Sequence, residues 1–203
     1  IAPPFAMVLR KHIQGGRIAG IVQEGYDRVV TMTVETHNEM GDPVNKKLIA
    51  EIMGKYSNII LTSDQGTIFD AIRRVDEEMS SVREVMPGRL YRLPPAQDKT
   101  AADDFETFAD SSDTATAKAI LNTLSGFSPT LCKAVCRSAG VDPQRKTREL
   151  ALAERERLNA ALGKCCRQIR EREYQAGILE DGKDFHCLEA VLETAGSVRR
   201  YST

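Results

Sequence analysis

The sequence contains no apolar run near the ~18 residues that a membrane-spanning helix needs, and no signal-peptide pattern opens it. It has little net charge: 28 Lys and Arg stand against 29 Asp and Glu, giving −1. A strongly basic nucleic-acid binder is therefore excluded on bulk charge, and any such contact has to be a local patch. Cysteine is absent from the first 131 residues, and the five that follow (Cys132, Cys136, Cys165, Cys166, Cys187) are odd in number. That suits free thiols in a reducing compartment better than a disulfide framework. No CxxC or HxxxH spacing is present, so Cys132/Cys136 and His186–Cys187 make a poor zinc set, and buried small hydrophobes are the better reading. No P-loop, dinucleotide-binding glycine loop, GxSxG or HExxH occurs, and the three histidines, His12, His37 and His186, are scattered. The residues point to no catalytic constellation, no cofactor and no metal.

What is present divides the 203 residues by pattern. Pro3-Pro4 opens a helix over residues 5–14, which Gly15-Gly16 ends. Short β-branched runs follow: RIAGIVQEG, DRVVTMTVETHN, PVNKKLIAEIM, SNIILTS and TIFDAIRRV. Their turn spacing (MGDP, then Asp64-Gln65-Gly66) predicts an antiparallel meander, with RLYRLPP as a last extended piece. Within the second run Val30, Met32 and Val34 alternate onto one face. Residues 99–113, with five acids between Ala101 and Asp113 and no base, read as an exposed acidic linker. Over 114–141, ATAKAILNTLS and TLCKAVCRSAG are helices joined by GFSP. This is the pattern of a helix-hairpin-helix, in which hairpin amides at Gly126, Phe127 and Ser128 approach a phosphate, and equally that of an ordinary pair of helices with Gly at the turn. Residues 143–173 form a charged helical stretch with nine Lys/Arg against five Glu, read as a solvated face. Over 176–203, Asp181-Gly182 signals a hairpin, while residues 186–196 also suit a helix.

The second strand run begins on an adjacent acid and base, Asp27-Arg28. An arginine beside it holds Asp27 ionised, which makes a poor general base near neutral pH. Successive strand residues also point to opposite faces, so the pair suits binding better than catalysis. Arg28 is suited to a phosphate or a base edge, and Asp27 to a basic neighbour or a base amino group. The alternative is a salt-bridged strand cap.

FAMVLRKHIQGGRI, YDRVV, KLIAEIMGKYSNIIL, MPGRLYRLPPAQDK and LSGFSP, in that order and spacing, closely resemble the NFACT-N domain and helix-hairpin-helix of the RqcH/NEMF family, whose bacterial members were long labelled fibronectin-binding protein A. The resemblance implies an α+β fold. An antiparallel twisted sheet with a helix, similar to the N-terminal domain of formamidopyrimidine-type glycosylases, is followed by a helical domain. It implies residues 1–98 as a partial NFACT-N domain, 114–175 as the hairpin and charged helices, and 176–203 as a possible return to the first domain.

The function implied is that of a cytoplasmic ribosome-associated quality-control factor, not itself an enzyme. Such a factor binds tRNA (alanine tRNA expected) and a large ribosomal subunit obstructed by peptidyl-tRNA, and promotes mRNA-independent C-terminal alanine tailing with the ribosome's own catalytic centre. The family's Asp-Arg motif falls on Asp27-Arg28, and its upstream basic residues on Arg10, Lys11 and Arg17. Relatives begin about seventy residues earlier, an amount compatible with ordinary domain sizes, and that part carries a further functional Asp. They also continue into a coiled coil and a C-terminal domain, so the chain is expected to be a fragment. Tyr26 stands where many relatives have Leu or Val. Two other functions remain: a surface adhesin for fibronectin or fibrinogen, and a DNA-glycosylase-like nucleic-acid binder, which would need a terminal nucleophile and usually a zinc finger.

Overall fold

Pro4 sits in the first turn of helix α1 (Pro4–Ile13), where the amide it lacks would have had no intrahelical partner. A computed structural model describes residues 3–95, 97–179, 185–194 and 198–201. The chain forms two units, residues 1–96 and 97–203.

In the first unit α1 leads into five strands: β1 (Arg17–Gln23), β2 (Val29–His37), β3 (Pro43–Glu51), β4 (Asn58–Ser63) and β5 (Ile68–Ala71). They pair in chain order, all antiparallel, as the turn spacing predicts. The fifth is shorter than TIFDAIRRV suggests, and its pairing slips between Leu61 and Thr62. Val30, Met32 and Val34 do share a face, but only Val34 is fully buried there. The dry core lies on the other face. It starts at Val29, which is wholly buried, and includes Ile49, Ile60, Ile68, Ala71 and Val85, with Met53, Val75 and Tyr91 packed against it. Each fully buried Ile or Val of this kind stabilises by roughly 1.5–3 kcal/mol.

Glu51 lies on that same core face, two residues after Ile49, and its side chain is wholly buried. Its carboxylate accepts from Arg83 Nη1 at 2.7 Å and from the Tyr91 hydroxyl at 2.8 Å, while Arg83 Nη1 also donates to the Arg92 carbonyl at 2.9 Å. Burial, and then the neighbouring Glu51 charge, push the Tyr91 phenol far above its usual range, so it remains a donor. The loop after β5 is thereby tied to the last residue of β3.

The second unit contains α2 (Thr116–Thr123), α3 (Pro129–Ser138), α4 (Leu152–Glu171) and α5 (Glu189–Thr194), with a small sheet of β6 (Gly177–Leu179), β7 (Phe185–His186) and β8 (Val198–Arg200). Ile120, Leu124, Val135, Leu158 and Leu162 form its fully buried centre. Two expectations change here. Residues 99–113 are packed rather than an exposed linker. Ala102 and Phe108 are buried, and the Asp110 carboxylate accepts from the Ser112 amide at 3.0 Å and from the Thr147 hydroxyl. The acids hide an apolar anchor, because Asp103, Asp104 and Glu106 face water while their neighbours face inward. The C-terminal stretch falls within this second unit. It uses both strand and helix, and the Asp181-Gly182 hairpin signal lies outside the described residues. Of the charged stretch read over 143–173, only Leu152–Glu171 is α-helix, while residues 143–151 are turns with Thr147 and Leu150 buried; its charges pair at the surface, Arg145 with Glu154 and Lys164 with Glu189.

All five cysteines are free, four of them buried and Cys187 exposed. Burial pushes the thiols of Cys132 and Cys166 up to about 11, and those of Cys136 and Cys165 up to about 12. A thiol reagent near neutral pH is expected to label Cys187 alone in the folded protein and all five in denaturant. Native labelling at any of the other four, read by peptide mass, would contradict the helical packing. Glu51→Ala is expected to cost about 3–5 kcal/mol, because it leaves the Arg83 guanidinium buried and unpaired. A shift in the urea midpoint equivalent to less than about 1 kcal/mol would show that the network is not structural.

Candidate nucleic-acid interface

The β1–β2 turn is held by its own backbone. The Glu24 amide donates to the Val29 carbonyl at 3.0 Å, the Asp27 amide to the Glu24 carbonyl at 2.9 Å, and Gln23 Nε2 to the Asp27 carbonyl at 2.9 Å. Gly25 takes a φ of +52°, which lets the turn close without a Cβ clash. Asp27 and Arg28 lie in this turn, just before β2 rather than inside it. The opposite-faces restriction therefore does not apply to them, and a bend allows both side chains to serve one contact. Both residues are exposed. Among the described residues no hydrogen bond or ion pair engages the Asp27 carboxylate or the Arg28 guanidinium, so they are not a salt-bridged cap.

The base of the turn is rigid. The Ile52 amide donates to the Arg28 carbonyl at 2.8 Å, and Val29, next in sequence, is opposite Glu51 in the β2–β3 ladder. The Glu51–Arg83–Tyr91 network thus lies directly behind the pair. The sequence reading missed it. The available signal was a carboxylate at the position two after Ile49, where alternation calls for an inward apolar residue.

The other basic candidates are elsewhere. Arg10 and Lys11 lie in the last turn of α1 and Arg17 begins β1, at the opposite end of a seven-residue strand, about 20 Å away at the usual strand rise. Lys11 Nζ pairs with Glu39 at 3.0 Å, Arg17 pairs with Glu35, and Arg10 is exposed without a partner among the described residues. The structure therefore does not bring Arg10, Lys11 and Arg17 together with Asp27-Arg28.

At that opposite end a cleft of about 840 Å³ is lined by His12, His37, Lys46 and Phe69 among others. Lys46 is buried and donates to the His12 carbonyl at 3.1 Å, capping an orphan carbonyl of the last helical turn. The His12 ring stacks on Phe69 at 4.4 Å. Burial first, then the Lys46 and Lys11 charges, hold its pKa below the ordinary value, so near neutral pH the ring is uncharged. The arrangement is a helix-end cap.

In the second unit, residues 124–128 join α2 to α3. Gly126 has a φ of +76° and Phe127 is buried in the core, so its side chain cannot reach a ligand. The Leu131 amide donates to Ser128 Oγ at 3.1 Å, an N-cap of α3. Among the described residues no hydrogen bond engages the amides of Gly126 or Phe127.

Comparison with known proteins agrees along the whole chain. The family model described as NFACT N-terminal and middle domains matches residues 1–203. A protein of Bacillus subtilis named Rqc2 homolog RqcH is 35% identical over 99% of this chain, which spans 35% of that relative's length. A Streptococcus pneumoniae protein of the same name is 45% identical over 45% of the chain and 17% of its own length. Among solved structures, the fibrinogen binding protein from Staphylococcus aureus superimposes with a TM-score of 0.73 at 26% identity, covering all of this chain and 73% of that one. The N-terminal part of the fibronectin/fibrinogen-binding protein from Streptococcus suis gives 0.68 at 25% identity over 93% and 64%. On a match over its full length, this chain belongs to the NFACT family, of which it carries N-terminal and middle-domain sequence.

Proposed function

We propose that the chain is the tRNA-engaging part of a ribosome-associated quality-control factor. In this reading it acts in the cytoplasm on large subunits obstructed by peptidyl-tRNA and promotes alanine tailing of the stalled chain without mRNA. It carries no reaction of its own, since the bond is made by the ribosome's peptidyl-transferase centre. The observation that supports this most is the 35% identity to Rqc2 homolog RqcH across 99% of the chain, joined to an Asp27-Arg28 pair that is exposed and, among the described residues, unengaged.

Arg28 offers a guanidinium fork to a phosphate or to the O6/N7 edge of guanine, and Asp27 accepts from a base amino group. Because the turn is pinned through its backbone, neither side chain loses a protein partner on binding RNA. Arg10, Lys11 and Arg17 form a separate contact at the far end of the sheet, and that contact is the weaker one, since Lys11 and Arg17 must exchange Glu39 and Glu35 for phosphate. In the second unit α2, its turn and α3 act as a helix-hairpin-helix, with the Gly126 and Phe127 amides directed to a backbone phosphate at the start of α3.

One observation favours a second reading, an adhesin for fibronectin or fibrinogen of the kind the two solved relatives are titled. Strand β1 is the edge of the five-stranded sheet, and Ile18, Ile21 and Val22 are more than half exposed on it. An exposed edge accepts an added strand.

The test uses the full-length protein that carries this chain, with bulk tRNA and alanine tRNA at two salt concentrations. Wild type is expected to bind, more weakly at high salt. Asp27→Ala/Arg28→Ala is expected to lose binding about tenfold or more, each bidentate contact counting for about 1–3 kcal/mol, while unfolding shifts by no more than about 0.5 kcal/mol. Equal binding by both proteins would return the pair to a turn with no RNA role. Capture of fibronectin with no tRNA binding would establish the second reading.

A further inference from the structure

The turn that follows β3 lies at the same end of the sheet as Asp27-Arg28, because both connect strands across that end of an antiparallel meander. A backbone bond ties the two turns together. The Ile52 amide donates to the Arg28 carbonyl at 2.8 Å, and one residue on, the Tyr56 amide donates to the Met53 carbonyl at 3.1 Å. The Met53 amide donates to Ser57 Oγ at 2.9 Å, so the single helical turn at Gly54–Tyr56 is fixed at both ends. It projects an aromatic ring into water. Tyr56 is 65% exposed, although a tyrosine has about 150–250 Å² of mostly apolar surface to bury.

The ring is set among cations. Lys55 Nζ stands 4.9 Å from the Tyr56 centroid. The chain after β5 reaches the same place: the Arg73 guanidinium donates to the Lys55 carbonyl, and Asn58 locks the Arg73 backbone with bonds of 2.8 and 3.0 Å. Neither Lys55 nor Arg73 has a carboxylate partner among the described residues, whereas the neighbouring Arg74 is taken up by Asp70 at 2.9 Å. A largely exposed aromatic ring, with Lys55 over it and no carboxylate among the described residues claiming Lys55 or Arg73, matches what an unstacked base with its phosphate requires: a π-surface for the ring and positive charge for the backbone.

We infer that Tyr56 is a stacking platform for an unpaired base of an RNA loop, with Lys55 and Arg73 taking the adjoining phosphates. The platform extends the Asp27-Arg28 contact across the end of the sheet. The inference rests on the RNA-binding reading above and assigns it a second set of residues. Stacking does not depend on base identity, since every base has a π-face. Tyr56 therefore contributes affinity, and the directional groups of Asp27 and Arg28 contribute selectivity.

The experiment is tRNA binding by the full-length protein across a salt series, for wild type, Tyr56→Phe, Tyr56→Leu, Tyr56→His and Lys55→Ala/Arg73→Ala. Tyr56→Phe keeps the face and is expected to bind within about twofold of wild type. Tyr56→Leu keeps apolar bulk without a π-face and is expected to lose roughly tenfold, the usual range for one stacked base being about five- to a hundredfold, at an unchanged salt slope. Tyr56→His keeps a smaller ring and falls between, which guards against a folding defect in the leucine variant. Lys55→Ala/Arg73→Ala is expected to lower the slope of log affinity against log salt by roughly one per lost phosphate contact. If Tyr56→Leu binds like wild type while Asp27→Ala/Arg28→Ala does not bind, the platform is overturned and the RNA-binding reading stands. If wild type binds no tRNA, both are overturned.

Discussion

In a meander each strand hands the chain to the opposite end of the sheet, and that reversal decides which residues of the first unit can act together. The turn before β2, the turn after β3 and the exit from β5 share one end. They bring Asp27-Arg28, Lys55-Tyr56 and Arg73 into one neighbourhood from positions far apart in sequence. The α1–β1 turn, the β2–β3 turn and the β4–β5 turn share the other end, and with them go Lys11, His12, Arg17, Glu39 and Lys46. Two residues as near in sequence as Arg17 and Arg28 are thereby placed a full strand apart.

The two ends differ in how their charges are used. At the far end Lys11, Arg17 and Lys47 are paired with Glu39, Glu35 and Asp64. At the near end the paired groups lie inside and the free groups outside. Glu51 is satisfied by Arg83 and Tyr91 beneath the surface, and among the described residues no buried side-chain nitrogen or oxygen lacks a partner. This follows from the cost of burial: a desolvated charge must be bonded, while an exposed one is kept solvated by water. The result is a stiff base on which, among the described residues, the Asp27 and Arg28 side chains meet no competing protein group. A binding site needs both properties, because ordering loose side chains subtracts from affinity.

The sheet was legible because β-branched runs and turn residues repeat with strand spacing, and five successive antiparallel strands are what such a pattern makes most simply. The Asp27-Arg28 pair was legible as an exposed polar pair, but it stands in the turn just before the strand rather than inside it. The alternation of Val30, Met32 and Val34 concealed that the hydrophobic cluster of Ile49, Ile60 and Val85 gathers around Val29. The packed course of 99–113 was illegible because its acids dominate the composition while only Ala102 and Phe108 carry the packing. The Glu51 network was illegible because Arg83 and Tyr91 lie 32 and 40 residues further on, in a segment without regular periodicity. Tyr56 gives no signal in sequence beyond one aromatic in a turn. Its exposure and its cations belong to the fold alone.

A chain of net charge −1 cannot draw nucleic acid by its bulk field, so an RNA contact depends on where charges remain uncompensated. In the first unit that condition is met at the Asp27 end, where among the described residues Arg28 and Lys55 lack a carboxylate partner and Arg73 rests on a carbonyl. The adhesin reading uses a different feature, the β1 edge with Ile18, Ile21 and Val22, which is apolar and presents backbone rather than charge. The two modes respond oppositely to salt: screening weakens phosphate contacts steeply and leaves strand addition, built on main-chain hydrogen bonds and apolar side chains, nearly unchanged. Salt dependence therefore separates the two surfaces even where both bind, and identifies which part of the sheet a given partner engages.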